Sequence, residues 1–214
     1  MIALQKEAIP PMLQANAAAW TAELINTIND GEEPTKTQRS RYNQPEIKEA
    51  LVAETHGKCA YCESKLLHIA YGDIEHITPK SKDNQVWYQW DNLTLACDRC
   101  NTNKGNYLDV IDPYNVDPEQ HLWFQGAMVF QHPGSDEGAL TERRLQLNRD
   151  DLLERRAERL KGLMVLLDRI ERVINPAVKI ALQTDFLLET EPAAEFAAMA
   201  RAVARAAQQK GLIP

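Results

Sequence analysis

All four cysteines of the 214-residue chain fall into two C-x-x-C pairs, Cys59-Ala-Tyr-Cys62 and Cys97-Asp-Arg-Cys100, with 34 residues (63–96) between them. A C-x-x-C knuckle lets two thiolates reach one ion at about 2.3 Å, and two knuckles complete the tetrahedron that Zn²⁺ prefers. No cysteine is left over, which favours a metal site over four small buried hydrophobes or a thioredoxin-type redox pair. Four thiolates fill the coordination sphere, so the expected Zn²⁺ is structural and pins together the two ends of the segment between the knuckles. That segment is longer than an ordinary zinc ribbon requires, so it must carry something of its own.

Within it, Gly72-Asp73-Ile74-Glu75-His76-Ile77-Thr78-Pro79-Lys80 reads as a strand with Asp73 and Glu75 on one face and Ile74 and His76 on the other. A histidine taken alone is more often packed or solvated than functional. The place of His76, between Glu75 and the Pro79-Lys80 turn, raises it to a candidate base, since imidazole titrates close to neutral pH. Asp73 is either a further metal or water contact or a solvated strand carboxylate. Lys80, Lys82 and Lys104 are candidate phosphate contacts, although scattered lysines usually serve solubility. Trp87 and Trp90 are expected to pack the hairpin against a following helix, and no role is assigned to His56, His68, His121 or His132.

Taken in order, C-x-Y-C, then D-x-E-H-I-x-P-K-S, then W-D-N-L-x-L-A-C-x-x-C-N-x-x-K resembles an HNH endonuclease with a cysteine-bound zinc. More closely, it is similar to the PtuB-type nucleases of Septu and retron-linked antiphage systems. The match covers Cys59 to Asn106. It implies a ββα-metal hairpin and helix and an activity that cleaves DNA phosphodiesters. By the same resemblance His76 is the general base, Glu75 a ligand of the catalytic divalent cation, and Asn92 the central asparagine that braces the hairpin and orients the histidine. Asn101 stands where many relatives carry a second motif histidine and would supply the other metal contact, with Asp73 as an additional candidate. An amide oxygen beside a carboxylate is a hard donor pair, which turns the expected preference toward Mg²⁺ or Mn²⁺.

The composition narrows the reading further. The chain is 44% hydrophobic and 26% charged, ordinary for a globular protein. No apolar run reaches the roughly 18 residues of a spanning helix and the start lacks a signal peptide pattern, so neither a membrane nor a secretory role is expected and the reading is cytoplasmic. With 24 basic and 31 acidic residues the net charge is −7, and from Gly57 to Asn106 six basic side chains face six acidic ones. Phosphate neutralisation drives nucleic-acid binding, so such a chain needs help to hold DNA. The resemblance names the helper as a PtuA-like ATPase and, in retron systems, a reverse transcriptase with its RNA–DNA product. A zinc-binding adaptor that cuts nothing is the rival reading, and an HNH toxin aimed at a host chromosome is a third.

These residues need a frame. Leu13, Ala17, Trp20, Leu24 and Ile28 recur at the helical period and predict a helix over 12–30, and Pro45 to Thr55 predicts a short one. The polar stretch between them reads as an exposed connector. Residues 108–138 read as loops with one hairpin around Gly126. Beyond Asp150, Leu153, Leu160, Leu163, Leu167, Ile170 and Ile174 predict a long amphipathic helix with Arg155, Arg156 and Arg159 on its polar side. Pro176 interrupts it, and two more helices are expected, over 177–188 and from Pro192 to Gln209. The predicted fold is α+β: a zinc-stapled ββα core (45–115) between a helical segment with its connector (1–44), a loop-rich connector (116–149) and a helical C-terminal region (150–214).

Overall fold

Leu13 and Leu24, one helical face of the N-terminal segment, are fully buried, and the helix that carries them, α1 (Pro11–Asn29), opens with proline at its first turn. The computed structural model describes residues 1–66 and 72–214. The connector expected to be exposed contains a further helix, α2 (Lys36–Ser40). It is set by a capping box in which Thr35 and Gln38 satisfy each other's free backbone N–H groups. Helix α3 (Pro45–Glu54) then buries Ile47 and Leu51 and leads into the first cysteine knuckle.

Strand β1 (Asp73–His76) pairs antiparallel with β2 (Leu93–Ala96) in the register Asp73↔Ala96, Ile74↔Leu95, Glu75↔Thr94, His76↔Leu93. Two 3-10 turns, Asn84–Val86 and Trp90–Asn92, shape the long loop between them. Helix α4 (Asp98–Lys104) follows β2 at once, which completes the ββα unit. Gly72 enters β1 at φ +64°, and a Cβ there would come within 2.7 Å of Leu66 Cδ1, so both dihedral and packing call for glycine.

The loop-rich stretch holds the expected hairpin, β3 (Leu122–Gln125) with β4 (Met128–Gln131), and then a helix, α5 (Asp136–Leu145), capped by Ser135. Helices α6 (Asp150–Arg172), α7 (Pro176–Leu188) and α8 (Ala197–Gln209) form the C-terminal region. Three expectations change here. The α6 stripe buries Leu152, Arg156, Leu163, Leu167 and Ile170, while Ile174 lies past the helix end at 95% exposure. Arg156, expected on the polar side, donates to the Leu147 carbonyl at 2.6 Å and lies over the Phe124 and Phe196 rings. Helix α8 begins at Ala197 instead of Pro192 because Glu195 reaches out to Lys65 N and Arg155 and Phe196 takes φ 54°.

One apolar core runs from Met1 and Leu13 through Leu93 and Leu95 to Phe186 and Met199. The helix faces at Leu13, Leu24, Leu163 and Leu167 belong to it. No helix among the described residues is long and apolar enough to cross a membrane.

Candidate active site

The two knuckles meet as their spacing requires. The Sγ atoms of Cys59, Cys62, Cys97 and Cys100 all lie within 4.8 Å of one another, and Cys62 and Cys97 are 3.9 Å apart. A tetrahedral ion with bonds of about 2.3 Å needs sulfur edges of roughly 3.8 Å, so the four side chains fit a metal of the zinc type. The Cys97 thiol caps α4, accepting from Cys100 N at 3.3 Å, and Ala60 N donates to Leu95 O at 2.9 Å. The cluster thus fastens the first knuckle to β2 and α4. Burial pushes the Cys59 thiol up, whereas hydrogen bonds from neighbouring thiols pull Cys62 and Cys97 down. Four thiolates this close repel one another, and a divalent cation is the charge that lets all four ionise. Arg149 adds a cation from outside, 3.9 Å from Cys100 Sγ.

His76 ends β1, 5% exposed. Its Nε2 lies 3.0 Å from the Trp87 carbonyl. A carbonyl only accepts, so Nε2 carries the proton and Nδ1 keeps the lone pair. Tyr42, from the chain just after α2, packs edge-on against the ring at 4.4 Å between centroids. Burial lowers the His76 pKa to about 4. At neutral pH the ring is therefore an uncharged base in a fixed tautomer and orientation.

Asn92 holds the loop that supplies Trp87. Its Oδ1 accepts from Thr78 N at 2.7 Å, and its Nδ2 donates to Thr78 O and Val86 O at 3.1 and 3.0 Å. The side chain thus ties the exit of β1 to the turn before Trp87, which places the carbonyl that orients His76.

Glu75 is 7% exposed and pairs with Lys104 Nζ at 2.9 Å. The same ammonium donates to the His76 carbonyl at 2.9 Å. Burial raises the Glu75 pKa, and the nearby Lys104 charge works against that rise. Asn101 sits one turn earlier on α4, and its Nδ2 donates to Asp73 Oδ2 at 3.1 Å, which leaves its amide oxygen available to a cation. Helix α4 thus lies along β1 with Asn101 on Asp73 and Lys104 on Glu75. Of the three lysines considered from sequence, Lys104 is buried in this pair and Lys82 is exposed. Lys80 lines the cleft in front of His76.

That cleft, about 750 Å³, is bounded by Glu75, His76, Lys80 and Trp87 on the hairpin side and by Glu33 and Arg39 on the other. The second wall comes from the N-terminal connector, and Arg39 and Tyr42 were not singled out from sequence. The readable signal was the T-x-x-Q capping box at Thr35–Gln38, which marks the connector as structured.

Residues 59–107 match the model of the HNH endonuclease family, the segment that holds the knuckles, the hairpin and α4. Over a longer span the chain is similar to two proteins named Septu protein PtuB. The one from Bacillus thuringiensis is 27% identical over 95% of this chain and 81% of its own length. The one from Bacillus mycoides (strain KBAB4) is 27% identical over 76% of this chain and 68% of its own.

Proposed function

We propose that the chain is a metal-dependent HNH endonuclease that hydrolyses DNA phosphodiester bonds as the nuclease subunit of an antiphage defence complex. The observation that carries this reading is His76: a buried, neutral imidazole whose tautomer is fixed by the Trp87 carbonyl, beside Glu75 and at the wall of a cleft. A zinc-binding adaptor has no use for such a base.

In this mechanism Nδ1 of His76 takes a proton from a water molecule as its oxygen bonds to phosphorus, and the bond from phosphorus to the leaving sugar oxygen breaks. Asn92 keeps the ring aimed by holding the loop around Trp87. A hard cation, Mg²⁺ or Mn²⁺, held by Glu75 and the Asn101 amide oxygen with Asp73 beside them, would supply positive charge against the phosphate and the leaving oxygen. Lys80 and Lys82 approach the DNA backbone from the hairpin loop. Zn²⁺ on Cys59, Cys62, Cys97 and Cys100 holds the frame and takes no part in the chemistry.

With a net charge of −7, the chain draws its DNA affinity from a partner, an ATPase of the PtuA kind, in the cytoplasm. A retron reverse transcriptase with its RNA–DNA product is the alternative partner. The test is a plasmid-nicking assay on the zinc-loaded protein, alone and with its partner, with Mg²⁺, Mn²⁺ or neither. Cleavage that requires one of these ions and disappears in Glu75→Ala supports the proposal. Tight duplex binding without any cleavage under these conditions contradicts it and favours the adaptor.

A further inference from the structure

We infer that Arg39 holds a nucleic-acid phosphate in the His76 cleft, and that Glu33 is its built-in competitor, occupying the guanidinium until substrate displaces it. The inference rests on the nuclease reading above and names how the cleft takes its substrate.

Among the described residues, Arg39 of the connector and Lys80 of the hairpin loop are the two lysine or arginine side chains that line the cleft. Both are held by the fold. Gln38, buried beside Arg39, accepts from the Tyr88 hydroxyl through its backbone carbonyl and donates to Thr27 of α1 at 2.9 Å. The Thr35–Gln38 capping box fixes the turn. Lys80 bridges to the same place, its ammonium 3.4 Å from the Arg39 carbonyl, 3.1 Å from Tyr42 Oη and over the Tyr42 ring. The connector, the hairpin loop and α1 therefore lock together and set an arginine in the lining of the same cleft as the base.

A guanidinium presents planar paired donors that match two phosphate oxygens. In this structure its Nη2 is taken by Glu33 Oε2 at 2.5 Å and its Nε by the Pro34 carbonyl at 2.9 Å. The ion pair is open to water, with the Arg39 and Glu33 side chains 50% and 89% exposed. Such pairs are weak and exchange readily. The Glu33 carboxylate offers two oxygens of the kind a phosphate offers, and it repels the DNA backbone that would replace it. Substrate entry thus exchanges one anion for another on Arg39.

The experiment measures binding of a short fluorescent DNA duplex to the full chain by anisotropy, across a salt series beginning at low ionic strength. His76→Ala is the common background so that no cleavage intervenes. Arg39→Gln is expected to weaken binding about ten-fold and to lower the slope of log K against log salt by about one. Arg39→Lys restores the slope, and Glu33→Gln tightens binding several-fold. Matching melting temperatures across the set exclude a folding effect. An unchanged affinity and slope in Arg39→Gln overturns the inference, as does weaker binding in Glu33→Gln or no measurable binding by Glu33→Gln at the lowest salt. If the wild-type chain binds the duplex but does not cut it with Mg²⁺ or Mn²⁺ while Arg39→Gln still weakens binding, the nuclease reading fails and the phosphate contact stands, so the two failures are distinguishable.

Discussion

Removing the Lys104 ammonium should damage the protein through the charge it leaves behind. Lys104 is 1% exposed and Glu75 7%, and their 2.9 Å contact is the strongest opposition to the burial that raises the Glu75 pKa. In Lys104→Met an ionised carboxylate stays buried without its counter-ion, and breaking such a pair costs about 3–5 kcal/mol. The His76 carbonyl also loses a donor at 2.9 Å, worth about 1 kcal/mol. Replacing both partners removes the uncompensated charge, so Glu75→Gln/Lys104→Met should recover most of the loss, with a coupling energy of about 2 kcal/mol or more. The sign of the pH dependence follows. A carboxyl whose folded pKa is raised binds its proton more readily in the native state, so the Lys104→Met deficit shrinks as pH falls toward the ordinary carboxylate range. Urea unfolding of the four zinc-loaded proteins gives the cycle. Additivity within about 0.5 kcal/mol would refute the coupling. A double variant that is as stable as wild type yet inactive would mean that the pair is kept for chemistry and not for stability.

Three further outcomes are expected. His76, with its pKa lowered to about 4 by burial, binds fewer protons in the folded state than in the unfolded chain, where it titrates near 6.5. Its contribution to stability is therefore complete above about pH 6.5 and falls by roughly 3 kcal/mol on going to pH 4; subtracting the unfolding free energy of His76→Gln at each pH isolates it, and a flat difference would contradict the burial argument. Asn92→Ala removes three hydrogen bonds to Thr78 and Val86 and should cost about 2–4 kcal/mol, together with the ring orientation; full activity in a folded Asn92→Ala protein would dismiss the bracing role. Cys97→Ser should lose metal and the cooperative unfolding of the nuclease core, since structural zinc contributes on the order of 10 kcal/mol, and elemental analysis that finds no zinc in a folded wild-type preparation ends that part of the account.

The parts of the site legible in sequence are those built from neighbours along the chain. Cys59 and Cys62 share one knuckle, Asp73 to His76 share one strand, and Asn101 and Lys104 share one helix face, so local spacing fixes their relation. What escaped depends on contacts across long stretches of chain. Tyr42 meets His76, and Arg39 reaches the same cleft, only because α2 folds back onto the hairpin loop. A polar, proline-bounded composition gives no hint of that beyond its capping box. Lys104 reads in sequence as a candidate phosphate contact or a solvated lysine because the carboxylate that buries it lies on β1, and Arg156 reads as a polar-side residue of α6 because the two carbonyls and two aromatic rings that accommodate it inside the core come from other elements. Amphipathic stripes such as Leu13 with Leu24 and Leu163 with Leu167 suit packing within the chain and docking onto a partner equally well, and only the fold assigns them to the interior.

The most direct test of the central claim is single-turnover cleavage of a DNA duplex by wild type and His76→Ala, each zinc-loaded, assembled with the partner and supplied with Mg²⁺ or Mn²⁺. The account predicts a rate lower by about 10²- to 10⁴-fold in His76→Ala, with zinc content and duplex binding unchanged. Cleavage at the wild-type rate by His76→Ala would contradict it, because a buried, oriented, neutral imidazole would then be standing beside the cleft without acting as the base.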